Sequence, residues 1–192
     1  MEIDEIKKKV LEDVDPQLRS QKKKEMRRAR LVISLQFLAL AAVILLVFYL
    51  MMGFSTVTGN SMYPTLHDKD IVAYSRLGKE YKPGDVIVFK RSDGEEFVKR
   101  VVAVAGDTVN IQSGKVYVNG EEAKFKGTLG KTSRTGNCIE YPVVVEDKEV
   151  FVLGDNRDSS NDSRRIGPLP RSMLVGRVRR VIFPFGHHPL NG

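Results

Sequence analysis

Phe97–Asp107 reads FVKRVVAVAGD, and the period of this run decides what kind of domain holds it. Successive side chains of a strand point to opposite faces. Phe97, Lys99, Val101, Ala103 and Ala105 therefore share one face of a strand over Phe97–Ala105, and Val98, Arg100, Val102 and Val104 share the other. Working outward, Asp70–Tyr74, Asp85–Phe89, Thr108–Gln112 and Lys115–Val118 read as further strands. Tyr141–Val145, Glu149–Leu153 and Leu174–Phe183 do so too. Pro83-Gly84, Ser113-Gly114 and Asn119-Gly120 punctuate these runs, the last a strong signal for a tight hairpin. No long helical period competes. The expectation is a mostly β domain, a coiled antiparallel sheet or open barrel, over residues 55–192. Roughly residues 107–148 form a smaller β-rich insertion within it, and the turn-rich Gly127–Asn137 reads as an excursion from the core.

Upstream the pattern changes. No Asp, Glu, Lys or Arg occurs from Leu31 through His67, and Phe37–Phe54 is an almost unbroken apolar run, FLALAAVILLVFYLMMGF. About 20 such residues in a helix cross a hydrocarbon core of ~30 Å. Leu31–Phe54 is therefore expected to be one transmembrane helix, with Tyr49 placed as an interfacial aromatic. A cleaved secretory signal is a poorer reading, because the leading segment and the apolar run are both too long and Met52-Gly53-Phe54 is a poor cleavage site. Arg19, Lys22, Lys23, Lys24, Arg27, Arg28 and Arg30 precede the span, while no charge follows it before Asp68. By the positive-inside rule, residues 1–30 form a cytoplasmic basic tail and residues 55–192 lie outside the plasma membrane, in a single-pass arrangement. The basic end of the tail suits anionic membrane lipid.

Composition narrows the function. The chain has 192 residues, 31 basic and 24 acidic, for a net charge of +7. A basic balance can mean nucleic acid, but the densest basic run abuts the apolar segment, where a membrane explains it better. The single cysteine, Cys138, excludes an intramolecular disulfide framework and any CxxC metal site. It reads as a small half-buried residue. The only histidines are His67, His187 and His188, none at a strand end where a Ser–His–Asp triad would place one.

Three segments concentrate polar residues against apolar strands. Ser61 lies in Gly59–Leu66, GNSMYPTL, where Gly59, Asn60 and Pro64 give it a turn setting. Lys99 shares its strand face with apolar side chains, so burial would lower its pKa and make its amine a usable base. The competing reading is a lysine snorkelling off a strand edge. Arg100 cannot substitute, since a guanidinium stays protonated. Gly154–Gly167, GDNRDSSNDSRRIG, packs Asp155, Asn156, Arg157, Asp158, Asp162 and Arg164 with three serines. Interleaved arginines favour an ion-pair network over a calcium loop, whose ligand spacing is absent. A solvated surface loop is the plainer alternative.

Together GNSMYPTL, PGDVIVF, FVKRVVAVAGD and VLGDNRDSSNDSRRIG resemble the type I signal peptidases, in that family's order and spacing from Thr56 to about Phe185. The resemblance implies that Ser61 is the nucleophile and Lys99 the general base of a Ser–Lys serine endopeptidase. It implies that Met62 shapes the substrate pocket and the catalytic turn, that Ser160 orients Lys99, and that Asp155, Arg157, Asp162 and Arg164 form a structural polar network. Some members carry a serine two residues before the nucleophile for the oxyanion hole; this chain has Gly59 there, leaving the Ser61 N–H and a second donor still to be found. The implied substrates are signal-peptide-bearing precursor proteins, cut after small residues by a monomeric enzyme without metal or cofactor. The single span and compact outer domain resemble the short Gram-positive form. Two other readings stay open: a self-cleaving Ser–Lys protease, and a tethered binding protein on a peptidase scaffold.

Overall fold

A computed structural model describes residues 2–14, 16–78, 80–134 and 139–183. Cys138, His187 and His188 lie outside the described residues. The chain divides into two units, one ending at Tyr49 and one beginning at Leu50.

The first unit is helical, with α1 spanning Glu2–Val14 and α2 spanning Pro16–Met51. From Leu31 to Leu50 every side chain of α2 is exposed and nearly all are apolar, so this helix has no face that a soluble core would bury. It is the one helix among the described residues that is long and apolar enough to cross a membrane, by length and composition.

The apolar run does not stay helical to Phe54 as expected. The helix stops at Met51, and Met52–Thr56 forms strand β1, paired antiparallel with β2 (Ile71–Ser75). Gly53 explains the switch. A side chain at this position would collide with the Tyr74 ring directly across the pair, so only glycine lets the two backbones approach. Ser55 and Thr56 then favour the extended state over the helix.

The second unit continues with β3 (Val86–Lys90), β4 (Glu96–Val104), β5 (Thr108–Gln112), β6 (Lys115–Val118), β7 (Glu121–Glu122) and β8 (Val143–Val144). It ends with β9 (Glu149–Leu153), the short helix α3 (Ser163–Ile166), β10 (Leu169–Pro170) and β11 (Leu174–Phe183). The strands form two antiparallel sheets. One has seven strands in the order β1-β2-β11-β3-β4-β9-β10, and the other has four in the order β7-β6-β5-β8. The larger sheet ends in β1 and β10 as free edges, so it is open and no barrel closes. The chain leaves β4 for the smaller sheet and returns in β9, beside β4, which places residues 108–144 between two neighbouring strands.

Three apolar clusters hold the second unit. Val98 packs with Val57, Met62, Leu66, Val86 and Val88 on one side of the large sheet. Val101 packs with Ile87, Phe89, Val150 and Val152 on the other. Val102 and Ala103 join Val109, Ile111, Val116 and Phe151 and so fasten the small sheet to the large one. Strict alternation fails here. A β-bulge lies between Val101 and Ala103, where β4 pairs with β9. Beyond it, Val104 packs with the Val101 cluster rather than on the opposite face where the uninterrupted period puts it. Gly127–Asn137 is likewise no excursion as far as Arg134. Leu129 N–H donates to Asp155 O and Arg157 N–H to Leu129 O, both at 2.8 Å, so the segment lies on the polar loop that follows β9.

Candidate active site

Ser61 and Lys99 are 38 residues apart in sequence and meet in the fold. Lys99 Nζ lies 2.7 Å from Ser61 Oγ and donates to Val98 O at 2.9 Å. The strand period brings this about: Lys99 pairs opposite Ile87, on the same face as the apolar Phe97 and Val101, and keeps only 2% of its surface in water. Burial is the main force on the amine and pulls its pKa from 10.5 down to about 8, against the opposing pull of the Asp162 and Asp155 carboxylates. At pH 7 roughly one such amine in ten is neutral, compared with about one in three thousand at its ordinary value. An amine of this kind can accept a hydroxyl proton; a solvated lysine cannot do so at a useful rate.

The Ser61 turn is fixed from both sides. Tyr63 N–H donates to Asn60 O at 3.2 Å and Leu66 N–H to Met62 O at 2.9 Å, which coils the segment. Gly59 has φ +81, a backbone few side chains adopt, and its N–H donates to Asp68 Oδ1 at 2.7 Å. Glycine at this position is therefore a requirement of the turn as well as a missing hydroxyl. Asn156 bridges the turn to the polar loop: its N–H donates to Ser61 O at 3.0 Å and its Nδ2 to Asn60 O at 3.1 Å. The Ser61 N–H has no partner among the described residues, so it is available to a developing oxyanion. Met62 is fully buried with Val57 and Val98, two residues that line the cleft beside Ser61.

The polar loop forms a buried network. Arg100 Nε and Nη2 donate to the two oxygens of Asp155 at 2.8 and 2.7 Å, with the aspartate 0% and the arginine 3% exposed. Arg100 Nη1 also donates to Gly84 O at 2.8 Å. Asp162 accepts from Arg164 Nε at 2.8 Å and from Gly154 N–H at 3.0 Å, and it caps α3 through Arg164 N–H. Arg157 donates to Gly154 O at 3.0 Å and reaches the Thr132 hydroxyl, while Arg164 Nη2 donates to Arg157 O at 2.7 Å. Both aspartates are thus paired with guanidinium groups.

Ser160 is placed differently from the other sites read in the sequence. Its Oγ is buried but makes no hydrogen bond, and the partners of Lys99 Nζ are Ser61 and Val98. The hydroxyl sits at Gly154, where an added Cβ would strike it and would approach Ser61 O to 2.5 Å. At Gly154 the polar loop and the Ser61 turn leave no room for a side chain. His67 faces Tyr63 and Asp70, away from the lining of the cleft.

The cleft beside the pair holds about 400 Å³ and is lined by Thr56, Val57 and Thr58 on one side and by Glu95–Lys99 on the other. Strand β3 flanks β4 from Glu96 to Arg100, whereas β9 begins only at Arg100. Along Glu96–Lys99 one edge of β4 has no strand beside it among the described residues, and that is where an extended peptide can add. Gly154 and the Val98 carbonyl belong to this site although neither was singled out from sequence; Asn156 was read only as part of the polar loop, and Arg100 was weighed only as a base and set aside. Arg100 carried the available signal, a charged side chain inside an apolar strand.

Comparisons with known proteins bear on the chain as a whole. The family model described as Signal peptidase, peptidase S26 matches residues 28–183. Signal peptidase I of Bacillus amyloliquefaciens is 34% identical over 139 residues, covering 67% of this chain and 75% of the relative. Signal peptidase IB of Staphylococcus aureus is 32% identical over 154 residues, covering 71% and 80%. Among solved structures, a signal peptidase I from Enterococcus faecalis V583 is 25% identical, with a TM-score of 0.44, covering 52% of this chain and 97% of its own. The family match over residues 28–183 and these relatives give one answer: this chain is a serine peptidase of the signal peptidase family, peptidase S26.

Proposed function

We propose that this chain removes signal peptides from exported precursor proteins with a Ser–Lys dyad, cutting after small residues. The observation that carries the reading is the 2.7 Å contact between Ser61 Oγ and a lysine amine that burial holds near pKa 8. The segment before the cut adds as a strand along the unpartnered edge of Glu96–Lys99, with small side chains at the first and third positions before the cut in shallow pockets. Neutral Lys99 takes the Ser61 proton and Oγ attacks the scissile carbonyl. The Ser61 N–H helps hold the oxyanion, and Lys99 returns its proton to the leaving amine. Water, activated by the same amine, hydrolyses the acyl-enzyme. Asp155, Arg157, Asp162 and Arg164 hold the loop against which the Ser61 turn rests.

α2 anchors the enzyme in the plasma membrane, with the basic segment before Leu31 in the cytoplasm and residues 55–192 outside. The chain works as a monomer, touching lipid and precursors. The test is cleavage of a signal-peptide-bearing precursor by the detergent-solubilised chain. Wild type should cut once, after a small residue, and Ser61→Ala and Lys99→Met should be folded and inactive. Activity retained by Lys99→Met would refute the dyad, and a folded but inert wild type would return the tethered-binder reading to the front.

A further inference from the structure

The cleft has a charge pattern that the chemistry at Ser61 does not use. Two carboxylates, Glu95 and Glu96, line it alongside Ser61 and Lys99. Both side chains are exposed, and neither makes a hydrogen bond or ion pair among the described residues. The nearby cations leave them so. Arg91 is taken by Asp93 at 3.0 Å and lies over the Phe97 ring, and Lys90, opposite Glu96 in the register, forms no ion pair. Among the described residues Lys99 is the one cation that lines the cleft, and it must be neutral to act. In its working state the lining therefore carries two carboxylates, with Lys90 across the strand pair from Glu96 but not bridged to it.

Their position along the strand sets which part of a substrate they meet. Glu96 and Glu95 precede Lys99 by three and four residues, which is roughly 10–13 Å along an extended chain. For a substrate strand that runs parallel to β4 with its cut beside Lys99, the rise is the same, and these carboxylates lie beside the residues about four and five positions before the cut, past the two that enter the small pockets.

Resting on the signal-peptidase reading above, we propose that Glu95 and Glu96 are specificity residues that favour precursors with a lysine or arginine at the fourth or fifth position before the cut. Their attraction falls on the chain outside the pockets, so it adds to the demand for small residues at the first and third positions. Exposed ion pairs of this kind are worth about a two- to fivefold preference in kcat/KM for a basic over a neutral residue. Screening shortens their reach to ~3 Å at 1 M salt, so the preference disappears there.

The test uses the full chain in detergent and three precursors that differ only at the fourth and fifth positions before the cut, where both residues are lysine, glutamine or glutamate. Each enzyme is read by its lysine-to-glutamine ratio of kcat/KM, so that a general loss of activity cancels. Wild type should give a ratio of about two to five and a glutamate-to-glutamine ratio correspondingly below one. The double variant Glu95→Gln/Glu96→Gln should bring both ratios to one, and Glu95→Lys/Glu96→Lys should invert them. A wild-type ratio of one, or a preference that survives the double glutamine variant or 1 M salt, would overturn the inference while leaving the peptidase reading intact. If wild type cuts none of the three precursors, the peptidase reading itself falls and the inference falls with it.

Discussion

Replacing Lys99 with methionine should abolish cleavage and, at neutral pH, make the protein more stable. The amine is 2% exposed, and burial holds its pKa at about 8 instead of 10.5. At about 1.4 kcal/mol per pKa unit, the protonated amine is therefore some 3 kcal/mol less favourable in the fold than in the unfolded chain. Between those two values the unfolded chain binds more protons than the fold, so stability rises with pH across that window. The penalty is complete below about pH 8 and is gone above 10.5. Methionine fills the same unbranched volume without a charge, but it gives up the hydrogen bonds to Ser61 Oγ and Val98 O, worth about 1 kcal/mol each. The net expectation is a variant about 1 kcal/mol more stable at pH 7, with the advantage lost above about pH 10. Urea unfolding of wild type and Lys99→Met in the same detergent, followed by circular dichroism at both pH values, measures this directly. A methionine variant less stable than wild type at pH 7, or a difference independent of pH, would refute the claim that burial activates the amine.

Three further outcomes follow from the network. Gly154→Ala sets a Cβ against the Ser160 hydroxyl and Ser61 O, so it should displace the Ser61 turn. It should lower kcat about a hundredfold for a stability loss of about 1–3 kcal/mol, read by kinetics and urea titration together. Arg100→Met leaves the Asp155 carboxylate buried without its guanidinium and should cost about 3–5 kcal/mol. Arg100→Met combined with Asp155→Leu should cost clearly less, and a double variant as unstable as the single would show that the two charges do not depend on each other. Asp162→Asn removes a charge that raises the Lys99 pKa, so in the fraction that folds, the inflection of kcat/KM with pH should move below 8.

The strands could be read because their alternation is local. Thr108–Gln112, Lys115–Val118, Glu149–Leu153 and Leu174–Phe183 fall where the apolar period and the Gly and Pro turns place them. Lys99 was legible for the same reason, since its face is set by neighbours two residues away. Features that depend on distant partners were not. Met52 and Phe54 have the composition of the helix before them; Gly53 is the one local break, and what it permits depends on Tyr74 across the pair. The bulge after Val101 comes from pairing with β9, about fifty residues further on, and nothing in FVKRVVAVA marks it. Arg100 has its carboxylate 55 residues away, and Gly154 matters because of what the Ser61 turn and Ser160 leave no room for.

The central claim is that Ser61 attacks with a neutral Lys99 as its base. The most direct test is kcat/KM for cleavage of one precursor from about pH 6 to about pH 10. The account predicts a rate that climbs tenfold per pH unit, bends near pH 8 and is level above it, as the free enzyme loses the Lys99 proton. A rate that is flat across this range, or that bends near 6.5 where a histidine titrates, would contradict it.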